Sequence, residues 1–94
     1  MMSPEQCRAA RAWLGWPQPE LAKRARVGLS TVRDFETGTR NPIVHNREAI
    51  QRAFEAEGIR FVFAEDGKAT GIAVDDARPA QISGASVAAA EGEP

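Results

Sequence analysis

Glycine and proline punctuate the first 58 residues so closely that only short helices fit between them: Gly15, Pro17, Pro19, Gly28, Gly38, Pro42 and Gly58. Proline suits helix starts and glycine suits helix ends, so this punctuation also has a direction. Ser3-Pro4-Glu5-Gln6 is a start: Ser3 caps, Pro4 takes the first helical position, and Gln6 stands where a capping-box partner reaches back. Cys7, Ala10 and Leu14 then recur at i, i+3 and i+7, one buried stripe, before Gly15 stops the helix. A second short helix is expected from about Gln18 to Ala25, with Leu21, Ala22 and Ala25 inward. Pro17 and Pro19 flank its first residue, where amide groups lack intrahelical partners anyway. The chain restarts at Gly28 for a third helix, Leu29 to Glu36 or Thr37, with Val32 and Phe35 inward and Gly38 as its end. Thr39-Arg40-Asn41-Pro42 is a polar loop. A fourth helix is expected from about His45 to Glu57, with Ile50, Ala53, Phe54 and Glu57 at helical spacing.

Beyond Gly58 the period changes. Ile59-Arg60-Phe61-Val62-Phe63 reads as a strand, Asp66-Gly67 as a turn, and Thr70 to Val74 as a second strand weakened by Gly71. Residues 75–94 are Ala, Gly, Ser, Pro and acidic, with Ile82 and Val87 as the sizeable apolar groups, and are expected to be a disordered tail. The expected organisation is a helical unit over 1–58, a strand or hairpin over 59–74, and the tail.

Composition bounds the chemistry. Ninety-four residues with 43% hydrophobic and 27% charged side chains make one ordinary globular domain. No apolar run approaches the ~18 residues of a membrane span, and no stretch reads as a signal peptide, so a cytoplasmic protein with no membrane partner is expected. One Cys and one His exclude an intrachain disulfide and a Cys/His zinc site within one chain. With no partner at ligand spacing for either, the expectation is no enzyme: no catalytic residue, cofactor, metal or small-molecule ligand. His45 reads as a solvent or phosphate contact. Cys7 reads as a small apolar filler, and the Trp13/Trp16 pair as helix-end packing rather than a ligand platform.

The net charge of −1 is an average over unlike parts. Residues 1–58 carry nine Lys/Arg against seven Asp/Glu, and residues 59–94 carry three against six. The window from Lys23 to Arg52 is steepest, with seven basic residues against Asp34, Glu36 and Glu48. A basic middle suggests a polyanion-facing surface, though an arginine-bearing solvated face fits equally well.

The second and third helices, joined by a short turn, meet the requirement of a helix-turn-helix. Leu29, Ser30, Arg33, Asp34 and Thr37 fall on the side of the third helix opposite its apolar anchors. Ser, Arg and Asp there can address base edges, and Leu a thymine methyl. A generic small helical bundle has the same pattern helix by helix. The ordered series Trp16-Pro17-Gln18-Pro19-Glu20-Leu21-Ala22, Ala25-Arg26-Val27-Gly28 and Val32-Arg33-Asp34-Phe35-Glu36-Thr37-Gly38 resembles the helix-turn-helix of the XRE (Cro/C1-type) family, the lambdoid phage repressor fold. The resemblance covers roughly residues 3–57. It implies a mainly α, four-to-five-helix lambda-repressor-like DNA-binding domain, here with a C-terminal strand or hairpin.

The resemblance also assigns residues. Leu29, Ser30 and Asp34 fall on base-reading positions, with Arg33 beside them. Gln18 would bind phosphate and brace the recognition helix, while Thr37, Arg40 and Asn41 fall where backbone contacts are made. Lys23 is a further candidate for phosphate. Arg11 and Glu36 match a salt bridge between the first and third helices. Pro17 departs from the family's Ser or Thr cap, and Arg26 from the usual glycine of the turn.

The implied function is sequence-specific transcriptional regulation by a repressor that binds double-stranded DNA as a homodimer on palindromic operators. Ile59, Phe61 and Phe63 are expected at the dimer seam, against the alternative that the hairpin covers the monomer's own core. The rival reading is a protein-binding module on the same fold, an antitoxin or antiactivator masking a toxin or another regulator. Leu29 and Asp34 make an apolar and acidic face that suits a protein groove.

Overall fold

The computed structural model describes residues 1–75; the expected tail over 76–94 lies outside the described residues. The order of elements is α1 (Pro4–Leu14), α2 (Gln18–Ala25), α3 (Leu29–Thr37), α4 (Val44–Glu55), β1 (Ile59–Phe63) and β2 (Ala69–Val74). The result is a small, mainly helical domain closed by a two-stranded antiparallel sheet. No helix among the described residues is long and apolar enough to cross a membrane.

The punctuation acts as the sequence implies. Ser3 accepts from the Gln6 amide while the Gln6 side chain accepts from the Ser3 amide, a complete capping box. α1 and α3 both end on left-handed glycines, Gly15 and Gly38. α2 starts at Pro17 without a side-chain cap and ends on Arg26, the one non-glycine residue with positive φ among those described (φ 59°).

Each helix gives one stripe to a single core: Cys7 and Ala10 from α1, Leu21, Ala22 and Ala25 from α2, Val32 and Phe35 from α3, Ile50 and Phe54 from α4. Ile59 and Phe61 of β1 complete it, with Phe61 edge-on to Phe54 at 6.0 Å between ring centres. Full burial of each large aliphatic or aromatic side chain contributes about 1.5–3 kcal/mol. Met2, ahead of α1, is also fully buried.

Three expectations are corrected. α4 runs from Val44 to Glu55, starting one residue and ending two residues earlier than expected, and Glu57 lies outside it. The chain must reverse through residues 56–58 for Ile59 to enter the core, so Glu57 is carried to the surface and meets Arg24 at 3.4 Å. Trp13 does not pack at the helix end but is 59% exposed. Trp16 alone packs, stacked on Phe54 at 5.7 Å with the Arg24 guanidinium over its ring. β2 begins at Ala69, and the register slips between Val62 (opposite Gly71) and Phe63 (opposite Ala69), which makes a bulge beside Gly71.

The bulge is held by a residue of α1. Gln6 is almost fully buried, and its Nε2 donates to the carbonyls of both Val62 and Gly71 at 2.9 Å. One amide side chain thus closes a capping box and fastens the sheet to the helices, with both ends satisfied as burial requires.

Candidate nucleic-acid interface

α3 lies in the chain between a three-residue turn, Arg26–Gly28, and the loop that leads to α4. Its inner side is Val32, Phe35 and Glu36, all buried. Its outer side is Leu29, Ser30, Arg33 and Thr37, exposed, with Asp34 half-buried. The four residues expected to address bases therefore share the outer side of one helix. Lys23, Arg40 and Asn41 are exposed as well.

The position of α3 is fixed by a buried carboxylate. Glu36 is 2% exposed and accepts four hydrogen bonds. Arg11 grips it with Nε at 2.6 Å from Oε2 and Nη2 at 2.7 Å from Oε1, the bidentate geometry that makes such pairs strong. Gln18 Nε2 adds a bond to Oε1 at 3.0 Å, and Cys7 Sγ one to Oε2 at 3.1 Å. Arg8 donates to the Glu36 backbone carbonyl, and Arg11 to that of Trp16 at 2.9 Å. Burial by itself would push the Glu36 carboxyl up. The bonds from Arg11, Gln18 and Cys7 and the Arg11 charge outweigh it and hold the carboxyl below its ordinary value. The hydrogen bond to Glu36 raises Arg11 in turn, so both partners stay ionised.

The Arg11–Glu36 pair implied by the resemblance is therefore present. The bracing assigned to Gln18 is visible too, because one of its N–H groups is committed to Glu36. The role of Cys7 is more than filling. Burial, then the bond to Glu36, drives its thiol far above the ordinary range, so it is a protonated donor and not a nucleophile. Thr37 also has work within the helix: its hydroxyl lies 3.1 Å from the Arg33 carbonyl and 2.8 Å from the Thr39 hydroxyl.

The cations sort into two groups. Arg11, Arg24, Arg52 and Arg60 pair with Glu36, Glu20 and Glu57, Glu48, and Asp75 respectively. Arg8 is bonded to the Glu36 carbonyl, Arg47 lies over the Phe35 ring at 5.2 Å, and Lys68 sits at the hairpin turn. Lys23, Arg26, Arg33 and Arg40 remain, exposed and, like Lys68, without an acidic partner among the described residues. All four fall in the stretch from the end of α2 to the loop after α3.

Beside α3, a groove of about 220 Å³ is lined by Ser30, Asp34, Arg40, Asn41, Ile43 and Asn46, among others. Ile43 and Val44, at the start of α4, are 68% and 58% exposed, and His45 is exposed. These apolar neighbours of the groove were not expected; the run Pro42-Ile43-Val44 ahead of α4 was the available signal.

Of the three residues expected at a dimer seam, Ile59 and Phe61 belong to the protomer's own core, at 2% and 8% exposure. They pack into the core, Phe61 against Phe54 of α4, so their side chains are not free to form a seam. Phe63, 37% exposed, remains at the surface. No group of three His, Cys, Asp or Glu side chains that could hold a metal ion is gathered among the described residues. No protein-family model matches the chain, and no curated protein is similar enough to match it.

Proposed function

We propose that the protein is a small DNA-binding transcriptional regulator of the lambda-repressor-like helix-turn-helix type, with α3 as the recognition helix. The sorting of cations carries this reading. Three exposed, unpaired positive charges, Lys23, Arg26 and Arg40, lie to either side of one helix that carries a fourth, Arg33, on its outer side, while most other arginines are neutralised or engaged. That distribution suits a helix entering a major groove with phosphates to either side. The Glu36 cluster supports it by holding α3 rigidly against α1 and α2, as base readout requires. Leu29, Ser30, Arg33 and Asp34 address bases; Lys23, Arg40, Asn41 and the free N–H of Gln18 address the backbone.

One such helix buries too little surface for tight specific binding, so the protein acts as a homodimer on a palindromic operator. Phe63 and the outer edge of the hairpin are the seam. Bound dimers repress by occupying the operator.

In the test, Arg40→Ala weakens binding to operator and random duplex alike and lowers the salt dependence, while Ser30→Ala relaxes one operator position. Equal losses on both duplexes for both variants would contradict this division. The exposed Leu29, Ile43 and Val44 favour a second reading, in which the same face docks a toxin or another regulator. Its signature is a complex insensitive to salt.

A further inference from the structure

We infer that Arg26 is a phosphodiester anchor, held in an unfavourable backbone conformation so that its charge stands at the turn ahead of the recognition helix. The inference rests on the DNA reading and deepens it.

The chain itself supplies the comparison. Three helices end on left-handed caps, and two of those caps are glycines, Gly15 and Gly38. Gly58 and Gly67 fill the other left-handed positions described. Arg26 alone carries a side chain there, at φ 59° and ψ 46°. Its backbone does what a glycine would do: its N–H bonds the carbonyls of Ala22 and Lys23, and Val27 N–H bonds Ala22 at 3.0 Å. In that conformation Cβ crowds the following carbonyl, which costs roughly tenfold in the folding equilibrium against glycine. A local strain of this kind persists where the side chain serves something else.

The fold gives that side chain no other use. Arg26 is exposed and has no acidic partner among the described residues. Helix-dipole compensation does not require it, because Lys23 and Arg24 already occupy the last turn of α2. Its position does suit an anion at the interface: two residues ahead of the α3 cap, with Lys23 before it in the chain and Arg33 and Arg40 after it. Arg26 and Arg40 then bracket the recognition helix, one at its start and one beyond its end.

Three substitutions separate charge from conformation. Binding is measured on a duplex selected from random sequence by the full-length chain and on a scrambled duplex, with Tm measured in parallel. Arg26→Gly removes charge and strain: Tm rises by about 6–11 °C, and both duplexes bind more weakly. The slope of log K against log salt falls in magnitude by about 0.9 per protomer, about 1.8 per dimer, so the loss at 50 mM salt is about twelvefold larger than at 200 mM. Arg26→Ala removes only the charge, and loses the same binding with Tm unchanged. Arg26→Lys keeps both Tm and slope. Wild-type affinity and slope in Arg26→Gly overturn the anchor and leave the DNA reading standing. A lower Tm in Arg26→Gly overturns it in favour of a structural role. A wild-type chain that selects no duplex overturns the anchor together with the reading beneath it.

Discussion

Replacing Arg11 by methionine tests whether α3 is held by charge. Methionine keeps most of the volume and removes the guanidinium. Glu36 then loses both of its short ionic bonds, at 2.6 and 2.7 Å, and keeps only the neutral donors Gln18 and Cys7. Removing one partner of a buried pair costs about 3–5 kcal/mol, because the other charge is left uncompensated. Arg11 is 20% exposed, so water can approach the vacated place, which puts the cost at the low end, about 3 kcal/mol.

For a domain of this size each kcal/mol moves Tm by about 4–8 °C, so Arg11→Met lowers it by roughly 12–24 °C. The pH dependence identifies the cause. In the wild type the Glu36 carboxyl is held below its unfolded value of about 4.3, so the pair's contribution is complete above that value and is lost as pH falls through the lower folded one. In the variant burial is no longer outweighed. The carboxyl moves up, and protonation relieves the buried charge. The stability gap between wild type and variant, measured by urea unfolding at pH 7 and pH 4, therefore shrinks toward acid. A gap under 1 kcal/mol at pH 7, or an equal gap at both values, would show that this charge pair does not hold α3.

Two further substitutions follow from the hairpin. Gln6→Leu takes the donor from the Val62 and Gly71 carbonyls and costs about 2 kcal/mol; hydrogen exchange should quicken in β1 and β2 before the helices, and uniform quickening would show that the amide does not fasten the sheet. Phe63→Asp should dissociate the proposed dimer in sedimentation with Tm nearly unchanged, whereas Phe61→Asp puts a charge into the core and unfolds the domain. A Phe63→Asp dimer as tight as the wild type removes the hairpin from the seam.

The bounds of α1, α2, α3 and β1 are legible in the sequence because local chemistry decides them: a capping box, prolines at starts, glycines at left-handed ends. The Arg11–Glu36 pair is legible only through the resemblance, since nothing in the spacing of an arginine and a glutamate 25 positions apart demands contact. Gln6 shows the limit from the other side. Its capping role is local and visible, and its spacing to Ala10 and Leu14 places it on the buried stripe. Its grip on a sheet 56 residues away depends on tertiary packing. Trp13 and Trp16 have the same side chain three residues apart, yet only Trp16 meets Phe54, because Gly15 turns the chain between them. The hairpin's alternation signals a buried face without saying whose core buries it, so Ile59 and Phe61 read as a seam and proved to be interior.

The salt dependence of wild-type binding to a duplex selected from random sequence decides whether α3 faces DNA. Three unpaired cations per protomer at the backbone, Lys23, Arg26 and Arg40, make about six phosphate contacts per dimer and a slope near −5. Affinity should then fall about a thousandfold between 50 and 200 mM salt. No selected duplex, or a slope near zero on any that is selected, would contradict the account and turn the face of α3 toward a protein partner.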